Sequence, residues 1–138
     1  MANLNRIYHS HQTKLETVVE KIKQYKVKND SIYIDDACFE AQQALEFLLK
    51  GVLSYHKVPY PSHGNEGHDI GILLDVLKDN LPKYKEFSKM ERLVELSSTI
   101  TYWEQHGRYG EGLKVKIETV QELKNIIIEL DSFVGTIE

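Results

Sequence analysis

Residues 31–56 read SIYIDDACFEAQQALEFLLKGVLSYH. With no proline, a single glycine and an alanine-rich centre, the stretch predicts one long helix from Ser31 to His56. At ~1.5 Å of rise per residue it spans about 39 Å, the full length of a small domain. Projected at ~100° per residue, Ile34, Ala37, Cys38, Ala41, Ala44, Leu45, Leu48, Leu49, Gly51, Val52 and Tyr55 fall on one broad arc. The other side is mixed: Phe39, Phe47 and Leu53 alternate with Gln43, Glu46 and Lys50. A helix that is apolar on one side and aromatic-polar on the other is expected to touch something on both. Small residues at 37, 41, 44 and 51 let a neighbouring helix come close.

Outward from this helix, the N-terminal segment carries Leu4, Ile7, Tyr8, His11, Leu15, Val18, Val19, Ile22 and Tyr25 at i, i+3, i+4, i+7 spacing, which predicts a first helix over Leu4–Tyr25. His11 lies inside the apolar stripe and reads as a satisfied core or interface residue. The connection Lys26–Asp30 is short enough to force the first two helices antiparallel, and Asp30 or Ser31 can cap the second. The lysines at 21, 23, 26 and 28 complement the dipole at the first helix's C-terminus.

Downstream, Lys57–Gly67 (KVPYPSHGNEG) holds two prolines and two glycines, and is the one long irregular stretch. His68–Asp79 predicts a short third helix with Ile70, Leu73, Leu74 and Leu77 inward, stopped before Pro82. Ser88 with Glu91 forms a capping-box pattern opening a fourth helix, whose face is Met90, Leu93, Leu96, Ser97, Ile100 and Trp103 and which stops at Gly107. A fifth helix begins between Lys116 and Thr119 and carries Val120, Leu123, Ile126, Ile127, Leu130, Phe133 and Val134. No sustained β alternation competes with these patterns. The fold expected is all-α: an antiparallel up-down bundle of four long helices plus one short helix, in a single domain over residues 1–138.

The bulk properties limit the function. A length of 138 residues suits one ordinary core, and 41% hydrophobic with 28% charged residues is a globular balance. A net charge of −4 argues against broad binding to nucleic-acid backbone. Absence of an apolar run of ~20 residues, and of a signal-peptide core in MANLNRIYHSHQ, leads to the expectation of a soluble cytoplasmic protein without a membrane role. The single cysteine, Cys38, cannot close an internal disulfide, and on the buried arc of the second helix it reads as a small apolar residue. His56, His63 and His68 are spaced too loosely for a pre-organised zinc site, and Glu-x-x-His, needed in pairs for a di-iron bundle, does not occur. No metal or cofactor is expected.

Two polar constellations remain. Glu46 and Lys50 form an i, i+4 pair on the second helix, worth ~0.2–0.5 kcal/mol where exposed. Tyr102, His106, Arg108 and Tyr109 gather at the end of the fourth helix. There histidine can act as a general base and arginine can hold a phosphate, or His106 can simply complement the helix C-terminus with Gly107 as its cap.

At these residues the chain resembles the HEPN family of small α-helical domains. Ala37–Glu46 continuing through Lys50 and Leu53 is similar to the family's A-x-x-x-x-Q-Q-A-x-E-x-x-x-K-x-x-L helix. His68-Asp69-Ile70 with Leu73-Leu74 resembles its H-D-[LI]-x-x-L-L helix, and Arg108-Tyr109 its R-Y-P turn, with Gly110 replacing the proline. The resemblance implies an up-down bundle, commonly homodimeric and often encoded beside a minimal nucleotidyltransferase. Some members are metal-independent ribonucleases that use Arg-x4–6-His at the end of the fourth helix. Here the positions that should carry that arginine are Thr99, Ile100 and Thr101. Arg6 and His11 match the spacing, but on the first helix and away from the family's site.

The leading expectation is therefore a HEPN-like accessory or nucleotide-binding module without nuclease activity. It would dimerise through Phe39, Gln43, Glu46, Phe47 and Lys50 and partner a minimal nucleotidyltransferase. Nucleotide phosphates would fall to Lys50, His68 and Arg108, with Asp69 and Tyr102 beside them. The rival is a ribonuclease with RNA as substrate and a rearranged site of His106 and Arg108, supported by Tyr102 and Tyr109.

Overall fold

Asn29, Asp30 and Ser31 separate the first two helices and turn the chain back on itself. Helix α1 covers Arg6–Lys28 and α2 covers Ile32–Tyr55. Asn29 adopts the left-handed conformation (φ 53°, ψ 38°), and its N–H closes α1 on the carbonyl of Tyr25. Of the two capping candidates it is Asp30 that opens α2, its Oδ1 accepting from Ile32 N at 3.1 Å. The structure is a computed structural model and describes residues 3–107 and 112–138. Arg108, Tyr109 and Gly110 of the sequence motif lie outside the described residues.

Cross-helix pairs fix the register of α1 against α2. Asn5 Nδ2 donates to the Gly51 carbonyl at 2.8 Å, Lys14 pairs with Glu40 at 3.2 Å and Lys21 with Asp36 at 3.4 Å. Residue numbers rise on one helix as they fall on the other, so the two are antiparallel. Asn5 also caps α1 by accepting from Tyr8 N. Its amide therefore sets where α1 begins and where it sits on α2.

The remaining elements are a 3-10 turn over Asn65–His68, α3 over Ile70–Asn80, a second 3-10 turn over Pro82–Glu86, α4 over Met90–Gly107 and α5 over Ile117–Ile137. The described residues include no strand. Two of these differ from the sequence reading. The loop ending at Gly67 closes into the first 3-10 turn, and α3 starts two residues after His68, with Asp69 Oδ1 capping Ile72 N at 3.1 Å. Pro82 does more than stop α3. It heads the second turn, which buries Tyr84.

α2 touches α1, α3, α4 and α5. Ala37, Cys38, Ala41, Ala44, Leu45, Leu48, Leu49 and Val52 are fully buried along it, as the alanine-leucine arc requires. Leu53, on the mixed side in projection, is fully buried as well. Phe39, Gln43 and Phe47 stay half-buried. At one end of the molecule Asp35 Oδ1 accepts from Leu113 N, bringing the segment before α5 onto the start of α2. At the other, the Glu138 carboxylate accepts from His56 Nε2 and from the Tyr84 hydroxyl, tying together the ends of α2 and α5 and the second turn. Among the described residues no helix is long and apolar enough to cross a membrane.

Candidate functional site

Gln42, Glu46 and Lys50 recur every four residues, so a helix stacks them on one stripe of α2. The stripe faces inward, toward the turn that delivers His68. Gln42, Glu46 and Lys50 are all buried, with Glu46 only 3% exposed and Lys50 8%. An aliphatic lysine stem passing through apolar surroundings is ordinary, but a buried ammonium needs a partner. Lys50 Nζ finds it in Glu46 Oε2 at 2.9 Å.

The other carboxylate oxygen is also taken. Glu46 Oε1 accepts from Gln42 Nε2 and from His68 Nδ1, both at 2.9 Å. Gln42 in turn receives Gln43 Nε2 on its Oε1 at 2.7 Å. The cluster thus sews the middle of α2 to the residue before α3, with its charges balanced internally. Because the Nδ1–H of His68 points at Glu46, its Nε2 is the ring atom left to face outward.

The neighbouring hydroxyl is committed too. Thr101 Oγ1 accepts from Ile70 N at 3.1 Å while donating to Ser97 O, so α4 holds the first turn of α3. Thr101 is one of the positions where an Arg-x4–6-His pattern ending at His106 would need arginine. Further along α4, the half-exposed Tyr102 stacks on His106 with ring centroids 3.8 Å apart. The proposed site residues therefore separate into groups. Lys50 and His68 meet on Glu46, Asp69 caps α3, Tyr102 and His106 stack at the end of α4, and Arg108 and Tyr109 lie outside the described residues. Glu46 and Lys50 are interior in the single chain, which leaves Phe39, Gln43 and Phe47 as the part of the α2 face that a second molecule can reach.

Metal-ligating chemistry has little to build on. Among the described residues no three His, Cys, Asp or Glu side chains converge on a common point. His56 and His68 are each bonded to a separate carboxylate, and His63 is exposed on the loop. Burial pushes the Cys38 thiol well above its usual range, which suits packing and not nucleophilic attack.

A second buried polar group centres on His11, which the sequence reads as a core residue, and on partners that no local pattern links to it. His11, fully buried, directs Nδ1–H to the Tyr8 carbonyl at 2.5 Å and turns Nε2 toward Asp131 Oδ1 at 3.5 Å. The Tyr8 hydroxyl donates to that same oxygen. Burial, and then the hydrogen bond to Asp131, push the Tyr8 hydroxyl far above its ordinary range. Desolvation lowers the His11 pKa below 6.5, against the opposing pull of the Tyr8 carbonyl and Asp131; nearby His9 adds to the lowering. The consequence for stability has a definite sign. Between 6.5 and the depressed value, the unfolded chain binds a proton that the folded chain resists, so stability falls as pH drops through that window. Urea midpoints should therefore drop between about pH 7.5 and 5.5, and less steeply in His11→Gln. Equal slopes for the two proteins would remove His11 as the cause.

A sequence model of the HEPN domain matches residues 16–135, most of the chain. No curated protein and no solved structure gives a match.

Proposed function

Since the chain belongs to the HEPN domain family, we propose that it is a non-cleaving accessory module of that family. It self-associates through the Phe39, Gln43 and Phe47 side of α2 and serves a minimal nucleotidyltransferase. Its scaffold is an up-down arrangement of the four long helices. The observation that carries this reading is what stands where a nuclease of the family needs its arginine. Thr99, Ile100 and Thr101 occupy those positions, and the Thr101 hydroxyl is consumed in holding Ile70 N. None of these three side chains carries the positive charge that holds the scissile phosphate, which is the electrostatic half of phosphodiester chemistry.

The charge balance at Glu46 supports the same conclusion for nucleotides. A phosphate approaching Lys50 or His68 would have to displace the carboxylate that both already contact. Such an exchange exposes Glu46 to a second anion in a buried setting, where repulsion is poorly screened.

The experiment is incubation of the purified protein with single-stranded RNA under chelation, alongside His106→Ala. No cleavage by either protein is expected. Cleavage by the wild type that disappears in His106→Ala would overturn the proposal in favour of a nuclease that takes its arginine from Arg108. Sedimentation at micromolar concentration tests the assembly: a dimer is expected, and Phe47→Asp should dissociate it with far-UV helicity intact. A wild-type monomer, or a dimer indifferent to Phe47→Asp, removes the α2 contact.

A further inference from the structure

Asp131 presents a charge problem that the fold leaves open. Its side chain is only 13% exposed, and its neighbours are the Tyr8 hydroxyl and the His11 ring. The hydroxyl is a neutral donor. Desolvation favours the neutral imidazole, whose Nδ1–H is fixed on the Tyr8 carbonyl. His11 Nε2, fully buried and without a hydrogen-bond partner, then turns a lone pair toward the carboxylate. Two acceptors face one another, and the described residues place no lysine or arginine in an ion pair with Asp131.

On its outer side Asp131 opens into a groove between α1 and α5. The groove has a volume of 490 Å3 and is otherwise lined by Leu15, Ile128, Ser132 and Gly135. Its walls are mainly apolar, and Ile128 is 44% exposed at its edge. The small residues Ser132 and Gly135, one turn of helix apart, leave room for an incoming side chain. An apolar trough with an uncompensated carboxylate at its floor is complementary to an amphipathic helix bearing a cation.

We propose that the α1–α5 groove docks a helix of a partner protein, seating one lysine or arginine on Asp131 and an apolar residue against Leu15 and Ile128. The cation supplies the countercharge that Tyr8 and His11 do not. This surface lies on different helices from the α2 face discussed above, so the two contacts can form together.

The test uses two helix-forming peptides, one with leucine and lysine at i, i+3, i+4 spacing and one with glutamate in place of every lysine. Binding is read by fluorescence anisotropy on the Phe47→Asp protein, so that self-association through α2 does not interfere. The lysine peptide should bind and the glutamate peptide should not. Affinity should fall roughly tenfold or more in Ile128→Glu and in Asp131→Asn, the second of which keeps an acceptor for the Tyr8 hydroxyl. Should Asp131→Asn fail to fold, Ser132→Trp, which fills the groove from an exposed position, takes its place. Equal binding of both peptides, no binding of either, or lysine-peptide binding indifferent to the groove variants overturns the proposal. So does a dimer in the Phe47→Asp background that Ile128→Glu dissociates, because the groove would then be covered by a second copy of this chain.

Discussion

Gly51→Ala is expected to destabilise the fold by about 3 kcal/mol, lowering the melting temperature by roughly 10 °C. A Cβ at position 51 would lie 2.5 Å from the Tyr8 Cα and 2.6 Å from the Tyr8 N. Backbone cannot rotate away as a side-chain tip can, so α1 must move off α2. Three contacts would be disturbed together: the Asn5 bond to the Gly51 carbonyl, the Tyr8 hydroxyl on Asp131, and the His11 bond to the Tyr8 carbonyl. Alanine's better helix propensity returns only about 1 kcal/mol. Gly71 provides the control within the same molecule. Its added Cβ would meet Asp69 Oδ1 at 3.2 Å and Ser97 Oγ at 3.4 Å, longer contacts than at position 51 and to side chains, not backbone. Gly71→Ala should thus stay within about 1 kcal/mol of wild type. Thermal unfolding of both variants checks the order; equal effects would mean that the α1–α2 approach is not what position 51 protects.

The close approach at Gly51 was legible, because small residues at 37, 41, 44 and 51 form one stripe of a long apolar arc. So were the five helices, whose ends fall within a few residues of the hydrophobic periods. The polar interior was not. Periodicity reports which face is apolar and is silent about what a polar residue does once buried. Glu46 and Lys50 read as an i, i+4 pair on the partner-facing side of α2, yet both lie inside the single chain, because the loop after α2 folds back and places His68 over them. One signal was available: Gln42, Glu46 and Lys50 repeat at a four-residue interval between leucines and alanines, a pattern that a purely solvated stripe does not need. His11 read correctly as a core histidine, but Asp131 is 120 positions away in the chain and nothing local connects them. The same holds for Tyr84, which the sequence left in a post-proline connection and the fold buries against Glu138. Candidate chemistry at the end of α4 stands differently: Tyr102 and His106 stack there, whereas Arg108 and Tyr109 lie outside the described residues.

Those buried polar residues explain why the motif is informative about fold and quiet about chemistry. The positions that carry the family resemblance on α2 and before α3 include Gln42, Glu46, Lys50, His68 and Asp69. Four of them form the Glu46 cluster and the fifth caps α3. Glu46→Ala is accordingly expected to cost about 3–5 kcal/mol, since it leaves the Lys50 ammonium buried without its counterion. The Gln42 amide loses an acceptor as well, whereas His68, 31% exposed, can turn toward water. Removing both charges should hurt less than removing one. Glu46→Leu with Lys50→Met fills similar volume without an ionised group, and should recover most of the loss. Lys50→Ala alone should be milder than Glu46→Ala, because the carboxylate keeps Gln42 and His68 as donors. Urea unfolding of the four proteins gives the comparison directly. If Glu46→Ala costs less than about 1 kcal/mol, the carboxylate is not holding α2 to α3. Lys50 would then be a cation awaiting an anion, with the His68 ring beside it as a donor, and the nucleotide-binding role would gain over the accessory one.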